Sequence, residues 1–221
     1  MTRIAVLASG GGSNLQAILR HFDALGATAP GTVALVASDR AAAGALEKAR
    51  TRGIAALHLP ASGPAMALEQ ALDAHDIGLV VLAGYLRLVP AGVVRRWRGR
   101  LVNIHPALLP SFGGHGMYGH HVHDAVIASG VRVSGATVHF VDEVFDRGPI
   151  IAQWPVPVPL GDTAAALAER VLAVEHRIYP WCVAALARGE VRLGEDGRVV
   201  GALPFAFEEF MASSDAPFAN S

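Results

Sequence analysis

An uninterrupted apolar run, Ile4-Ala5-Val6-Leu7-Ala8, passes directly into Ser9-Gly10-Gly11-Gly12-Ser13-Asn14 and then into a leucine- and alanine-bearing segment at 15–22. This order constrains the fold more than any other feature of the chain. A short run that is apolar at every position reads as a strand buried on both faces, and such strands belong to parallel sheets covered by helices. Runs of the same character recur at 33–38, 79–83 and 101–104, and helix-like segments at 42–52 and 66–74 fall between them. The alternation predicts an α/β chain with a mostly parallel sheet, right-handed crossovers and flanking helices, its first half a mononucleotide-type unit.

Such a sheet needs a large core, and the chain can supply one. It has 221 residues, 52% hydrophobic and 17% charged, which excludes a disordered chain and a disulfide-stapled miniature. Eighteen Lys and Arg against nineteen Asp and Glu give a formal net charge of -1, without general bias toward nucleic acid or an anionic membrane. Any anion must therefore be held locally. The single cysteine, Cys182, lies beside Trp181 and reads as a small buried residue in a reducing compartment. No apolar stretch reaches the ~18 residues of a membrane span, and the run before the glycines is too short for a signal-peptide core. A cytoplasmic protein with no membrane or nucleic-acid partner is expected.

The pattern changes after Pro106. Residues 106–119 are dense in Gly, Pro and His, 122–129 reads as a helix, and 132–141 and 150–158 read as neighbouring strands, an antiparallel addition to the sheet. Gly161-Asp162-Thr163 signals a helix start, and Leu167, Val171, Val174 and Ile178 mark one apolar face. Pro180 is expected to end or reset that helix.

Three groups of residues carry candidate chemistry. The glycine loop joins a strand to a helix, where free backbone N–H groups and the helix dipole favour a phosphate. It is not G-x-G-x-x-G, since Leu15 occupies the third position, and no phosphate-binding Lys follows; a tight turn capped by Ser13 is the alternative. Asn103 and His105 fall on the same side of a strand at its carboxyl end, where open α/β sheets bind ligands. An amide can donate to an oxyanion and an imidazole can move a proton, so the pair suits acyl or formyl transfer, or else is satisfied by loop backbone. His115, His120, His121 and His123 lack a Cys partner or an H-E-x-x-H pattern and read as solvated or loop-ordering residues, with no metal expected. Asp142, Glu143 and Asp146 read as a surface turn unless it folds over His105.

Taken in order, S-G-G-G-S-N-L at 9–15, L-A-G-Y-L-R-L at 82–88, N-I-H-P-A-L-L-P at 103–110, the segment 138–149 and Glu175-His176 resemble the phosphoribosylglycinamide formyltransferases of the folate-dependent formyltransferase family. The resemblance spans roughly residues 3–195 and implies the family's Rossmann-like formyltransferase fold. It implies one domain over 1–203, with 1–104 as the nucleotide-type half and 105–203 as the folate and catalytic half; 204–221 reads as a loose tail. The implied reaction moves the formyl group of 10-formyltetrahydrofolate, a co-substrate, to the amine of 5-phosphoribosylglycinamide through a tetrahedral intermediate, in de novo purine biosynthesis.

Gly12, Ser13 and Asn14 would then hold the substrate phosphate, and Glu175 its ribose, together with the backbone of Leu172, Ala173 and Val174. Leu86, Arg87, Leu88 and Val89 would grip the pterin largely through backbone groups, and Asp142, Glu143, Val144, Phe145 and Asp146 would close over its other edge. Asn103, also on the folate side, would hydrogen-bond the formyl oxygen. His105 would donate a proton to the intermediate, and Asp146 would raise the His105 pKa. The implied partners are two small molecules, and a monomer or homodimer is expected.

The chain departs from the family pattern in three places: no Arg stands in 60–66, Asp39 replaces a common Asn, and the loop 113–118 is longer than in several members. A formyltetrahydrofolate hydrolase shares the Asn-His-Asp machinery but usually carries an N-terminal regulatory domain, which is not expected here with the glycine loop at Ser9. Methionyl-tRNA formyltransferase resembles a longer chain. A non-catalytic nucleotide-binding or regulatory module would not need Asn103, His105 and Asp146 together.

Overall fold

The computed structural model describes residues 1–203. Five strands run parallel: β1 (Thr2–Leu7), β2 (Gly31–Ser38), β3 (Ala55–His58), β4 (Leu79–Leu82) and β5 (Leu101–His105). Two antiparallel strands, β6 (Val133–Phe140) and β7 (Ile150–Pro157), extend the sheet, giving the order β3-β2-β1-β4-β5-β6-β7. The expected architecture is therefore present, antiparallel addition included.

Strand alternation divides the core into two layers. Ile4, Val6 and Ala8 pack on one face with α1 (Ser13–Leu25), α2 (Gly44–Thr51), α5 (His120–Ser129) and α6 (Ala164–Arg188); Ala5 and Leu7 pack on the other with α3 (Pro64–Ala74) and α4 (Ala91–Arg96). Both faces of β1 are thus covered, as its unbroken apolar sequence requires. Strand order reverses between β1 and β4, because the chain builds outward through β2 and β3 and then returns. That switch point opens a crevice beyond the carboxyl ends of the strands.

The structure departs from the sequence expectation in four places. β3 has the sequence Ala-Ala-Leu-His, with no β-branched residue, and pairing with β2 makes it a strand. α4 contains Gly92 and two valines, poor helix formers, and is held by burial of Val93 and Val94. The short hairpin of β8 (Val191–Leu193) and β9 (Val199–Gly201) gives little periodic signal.

The fourth departure is Pro180, which does not end α6: the helix continues to Arg188. Its missing N–H leaves one carbonyl of the preceding turn without its helical donor, a disruption of about 3 kcal/mol in an exposed helix. Here Tyr179, Cys182 and Val183 are fully buried, and the Tyr179 hydroxyl donates to the Leu82 carbonyl of β4 at 2.7 Å. Tertiary packing outweighs the break. The Thr163 hydroxyl caps the start of α6 by accepting from Ala166 N–H at 3.2 Å, as the Gly161-Asp162-Thr163 signal anticipated. The expected tail, 204–221, lies outside the described residues. Among the described residues no helix is long and apolar enough to cross a membrane.

Candidate active site

A cavity of about 580 Å³ occupies the crevice at the switch point. Gly10 to Asn14 line one end of it. Gly12 adopts the left-handed region, φ 72°, at the N-cap of α1, and a Cβ there would lie 2.9 Å from the Cβ of Ala45. Only glycine fits this turn. Ser13 is the first helical residue and does not cap the helix, so the N-terminal N–H groups of α1 stay available to an anion.

The Asn14 side chain is committed elsewhere. Its Nδ2 donates to Glu175 Oε2 at 2.7 Å, while its Oδ1 is buried without a partner. Glu175 sits on α6, is buried, and burial pushes its carboxyl up to about 7 against the opposing donation from Asn14. Four- and three-residue steps along α6 bring Ala168, Leu172 and Glu175 to the cavity. The same periodicity turns the Ala173 side chain toward solvent and the Val174 side chain into the core, so only backbone groups are left for the contacts expected of these two residues.

Across the cavity the structure brings Asn103, His105 and Asp146 together. Antiparallel pairing of β5 with β6 sets Asn103 opposite His139 and His105 opposite Thr137. Asn103 Nδ2 lies 3.2 Å from His139 Nε2, and His139 Nδ1 lies 2.8 Å from the Phe140 carbonyl. The carbonyl requires a proton on Nδ1, and Nε2 faces both the Asn103 amide and the Asp146 carboxylate. His139 therefore orients Asn103. Sequence reading missed this residue, although the cross-strand register opposite Asn103 would have pointed to it.

His105 is 3% exposed. Its Nε2 donates to the Phe112 carbonyl at 2.8 Å, and its Nδ1 lies 3.5 Å from Asp146 Oδ2. Asp146 Oδ2 also accepts from Gly114 N–H at 2.9 Å, and Oδ1 lies 3.6 Å from His139 Nε2. The turn does fold over His105, so Asp146 is no surface residue. Burial lowers the His105 pKa, and the upward pull of the Asp146 charge and the Phe112 carbonyl does not restore it. The expected direction of the Asp146 effect is present, but net elevation is not. Burial likewise raises Asp146, yet His139, His105 and Gly114 together hold it below its ordinary value.

Backbone strain marks the same place. Phe112 and Asp146 have φ of 55° and 56°, a region that side chains other than glycine rarely enter. These conformations aim a carbonyl and a carboxylate at the two nitrogens of one imidazole. Gly148 permits the turn, since a Cβ there would meet the Phe140 carbonyl oxygen at 1.8 Å.

Leu86, Arg87, Leu88 and Val89 form another wall, with Val141, Asp142, Val144 and Phe145 opposite. Glu143 is absent from it, because its carboxylate turns outward to Arg95 Nη1 at 3.1 Å. The His115 ring meets Phe145 edge-on, joining the loop 113–119 to this wall. His123, expected to be solvated or loop-ordering, is 6% exposed and lines the cavity with His115 and His120. Among the described residues no group of three or more His, Cys, Asp or Glu side chains is arranged to hold a metal ion. Cys182 is buried in the core, as expected.

The chain that carries this cavity matches a known class of protein. The sequence profile described as Formyl transferase matches residues 2–183, and the chain belongs to that family. The phosphoribosylglycinamide formyltransferase of Escherichia coli strain K12 is 41% identical over 202 residues, covering 87% of this chain and 91% of that protein. Glycinamide ribonucleotide transformylase 1 from Symbiobacterium toebii has the same fold, with a TM-score of 0.81 at 44% identity, covering 90% of this chain and 93% of that one. A formyltetrahydrofolate deformylase from Pseudomonas syringae also superposes, with a TM-score of 0.80 at 25% identity, over 90% of this chain and 65% of that one. Some relatives are much longer: the chain spans 19% of the trifunctional purine biosynthetic protein adenosine-3 of Bos taurus, at 41% identity over 203 residues and 89% of this chain.

Proposed function

We propose that this protein transfers the formyl group of 10-formyltetrahydrofolate to the amine of 5-phosphoribosylglycinamide, a step of purine biosynthesis. The observation that carries the reading is the joint placement of Asn103, His105 and Asp146 in one cavity with the Gly12 turn. Residues 1–203 act as one catalytic domain in this reading, because a single sheet runs through both halves.

Each part of the cavity has a task. Backbone N–H groups at Gly12, Ser13 and Asn14 receive the phosphate, and the Glu175 carboxylate receives a ribose hydroxyl from beside Leu172. The folate lies between the segment Leu86, Arg87, Leu88, Val89 and the turn that carries Asp142, Val144, Phe145 and Asp146. The amine nitrogen bonds to the formyl carbon and the formyl oxygen gathers negative charge, which the Asn103 amide stabilises from the orientation His139 gives it. Collapse breaks the bond to the folate nitrogen, which gains a proton as the amine gives one up. His105 supplies the proton; the carbonyl at Nε2 and the carboxylate near Nδ1 both favour its charged form against burial. For that transfer Nε2 must exchange the Phe112 carbonyl for the substrate.

Hydrolysis of the same folate could use the same three residues. Transfer is favoured because the glycine turn and the buried Asn14–Glu175 pair form a second subsite that water does not require. In the test, Asn103→Ala and His105→Ala are each assayed for binding and turnover. Both variants should bind tetrahydrofolate and phosphoribosylglycinamide, with turnover reduced at least about a hundredfold. Turnover within about threefold of wild type would remove these residues from the chemistry.

A further inference from the structure

Outside the residues already given a task, one buried carboxylate reaches the Leu86 to Val89 wall of the cavity both directly and through Ser9. Asp39 follows β2, and its side chain is 7% exposed. Its Oδ1 accepts from the Ser9 hydroxyl at 2.5 Å, and its Oδ2 lies 3.3 Å from Arg87 Nε. Ser9, 2% exposed, stands at the carboxyl end of β1 immediately before the glycine turn. Having donated its one proton to Asp39, the Ser9 oxygen presents lone pairs elsewhere and accepts from Leu86 N–H at 2.9 Å. Ser9 N–H donates in turn to the Gly84 carbonyl at 2.9 Å. The carboxylate at the end of β2 therefore reaches past β1 to the segment after β4, gripping it at two successive residues, Leu86 through Ser9 and Arg87 directly.

That segment needs an external anchor. It leaves β4 through Gly84, whose φ of 73° turns the chain out of the sheet, and 85–89 belong to no helix or strand. We propose that Asp39 is a positioning residue for the folate, fixing the backbone of Leu86 to Val89 through Ser9 and Arg87 so that its N–H and C=O groups are set before the folate arrives. The inference rests on the proposed function, in which this segment is the folate wall. Preorganised backbone groups bind without the loss of loop freedom that a slack segment would incur on binding. Asp39 itself touches neither reacting atom, so its effect should fall on folate affinity and spare the chemical step.

The test compares wild type with Asp39→Asn, Asp39→Ala and Ser9→Ala, using tetrahydrofolate binding by calorimetry and steady-state rates with both substrates varied. In Asp39→Asn the amide oxygen still accepts from Ser9 but the charge facing Arg87 is gone, so folate affinity should fall about threefold to tenfold. Asp39→Ala loses both grips and should fall more than tenfold. In both, kcat and the KM for phosphoribosylglycinamide should stay within about twofold of wild type, a split that general destabilisation would not produce. Combining Asp39→Asn with Arg87→Ala should give a loss smaller than the product of the two single losses. Folate affinity within twofold of wild type in Asp39→Asn, or equal losses in both KM values and kcat, would overturn the role of Asp39. Should Asp39→Ala fail to fold, the isosteric Asn variant alone decides. A wild-type protein that binds no tetrahydrofolate would instead overturn the reading of the wall itself.

Discussion

Glu175→Gln offers a test in which stability and pH are tied by one buried group. The folded protein holds the Glu175 proton up to about pH 7, whereas the reference value for a solvated Glu side chain is 4.5. A proton bound more tightly by the folded chain stabilises it below pH 4.5, and this contribution is lost progressively as pH rises through about 7. The gap between those two values corresponds to about 3 kcal/mol. A glutamine of the same shape keeps an oxygen for the Asn14 amide and cannot ionise, so its stability should lack this decline. Urea denaturation of both proteins across pH 5 to 8 should therefore show the variant gaining on wild type, with most of the 3 kcal/mol appearing in that window. At pH 8 the more stable protein should also be the poorer enzyme, because an amide receives a ribose hydroxyl less strongly than a carboxylate. A stability difference that stays constant with pH would refute the argument, and would mean that Glu175 is ionised in the folded protein throughout the range.

Gly12→Val should lower affinity for phosphoribosylglycinamide at least about tenfold and leave tetrahydrofolate binding nearly unchanged, since the left-handed turn costs a side chain about 1–2 kcal/mol and Ala45 stands in its way; equal losses for both ligands by calorimetry would contradict it. Asp146→Asn should lower the already depressed His105 pKa further, because it removes the neighbouring negative charge while keeping the shape of the side chain. NMR titration of the His105 ring reads this directly, and an unchanged value would free Asp146 from the role. Losses in turnover from His105→Ala and Asp146→Asn should not multiply in the double variant, as the two act as a unit. Asn103→Ala should reduce kcat by about a hundredfold to a thousandfold with little change in either KM, a separation that steady-state kinetics resolves.

The sequence revealed the site where local chemistry and strand geometry coincide. Asn103 and His105 are legible because a two-residue period at the end of β5 leaves both side chains the same outlet. The Gly12 turn is legible because strand, glycine and helix are consecutive. Asp146 could be read only conditionally, since its approach to His105 depends on a turn that brings together residues forty apart. His139 and Asp39 act through cross-strand and cross-loop contacts that no local pattern encodes. Pro180 obeys its local rule in losing a hydrogen bond, and the burial of α6 overrides the usual consequence. The upward pull of Asp146 on His105 is legible and the net His105 pKa is not, for a related reason: a neighbouring carboxylate is visible in a sequence motif, whereas the depth of burial that opposes it is a property of the folded molecule.

The central claim is that the cavity couples loss of the formyl group to an amine acceptor. Purified protein supplied with 10-formyltetrahydrofolate should release tetrahydrofolate only when phosphoribosylglycinamide is present, with one formylated amine formed for each folate released. Release at the same rate without the amine would contradict the account and assign the Asn103, His105 and Asp146 machinery to hydrolysis.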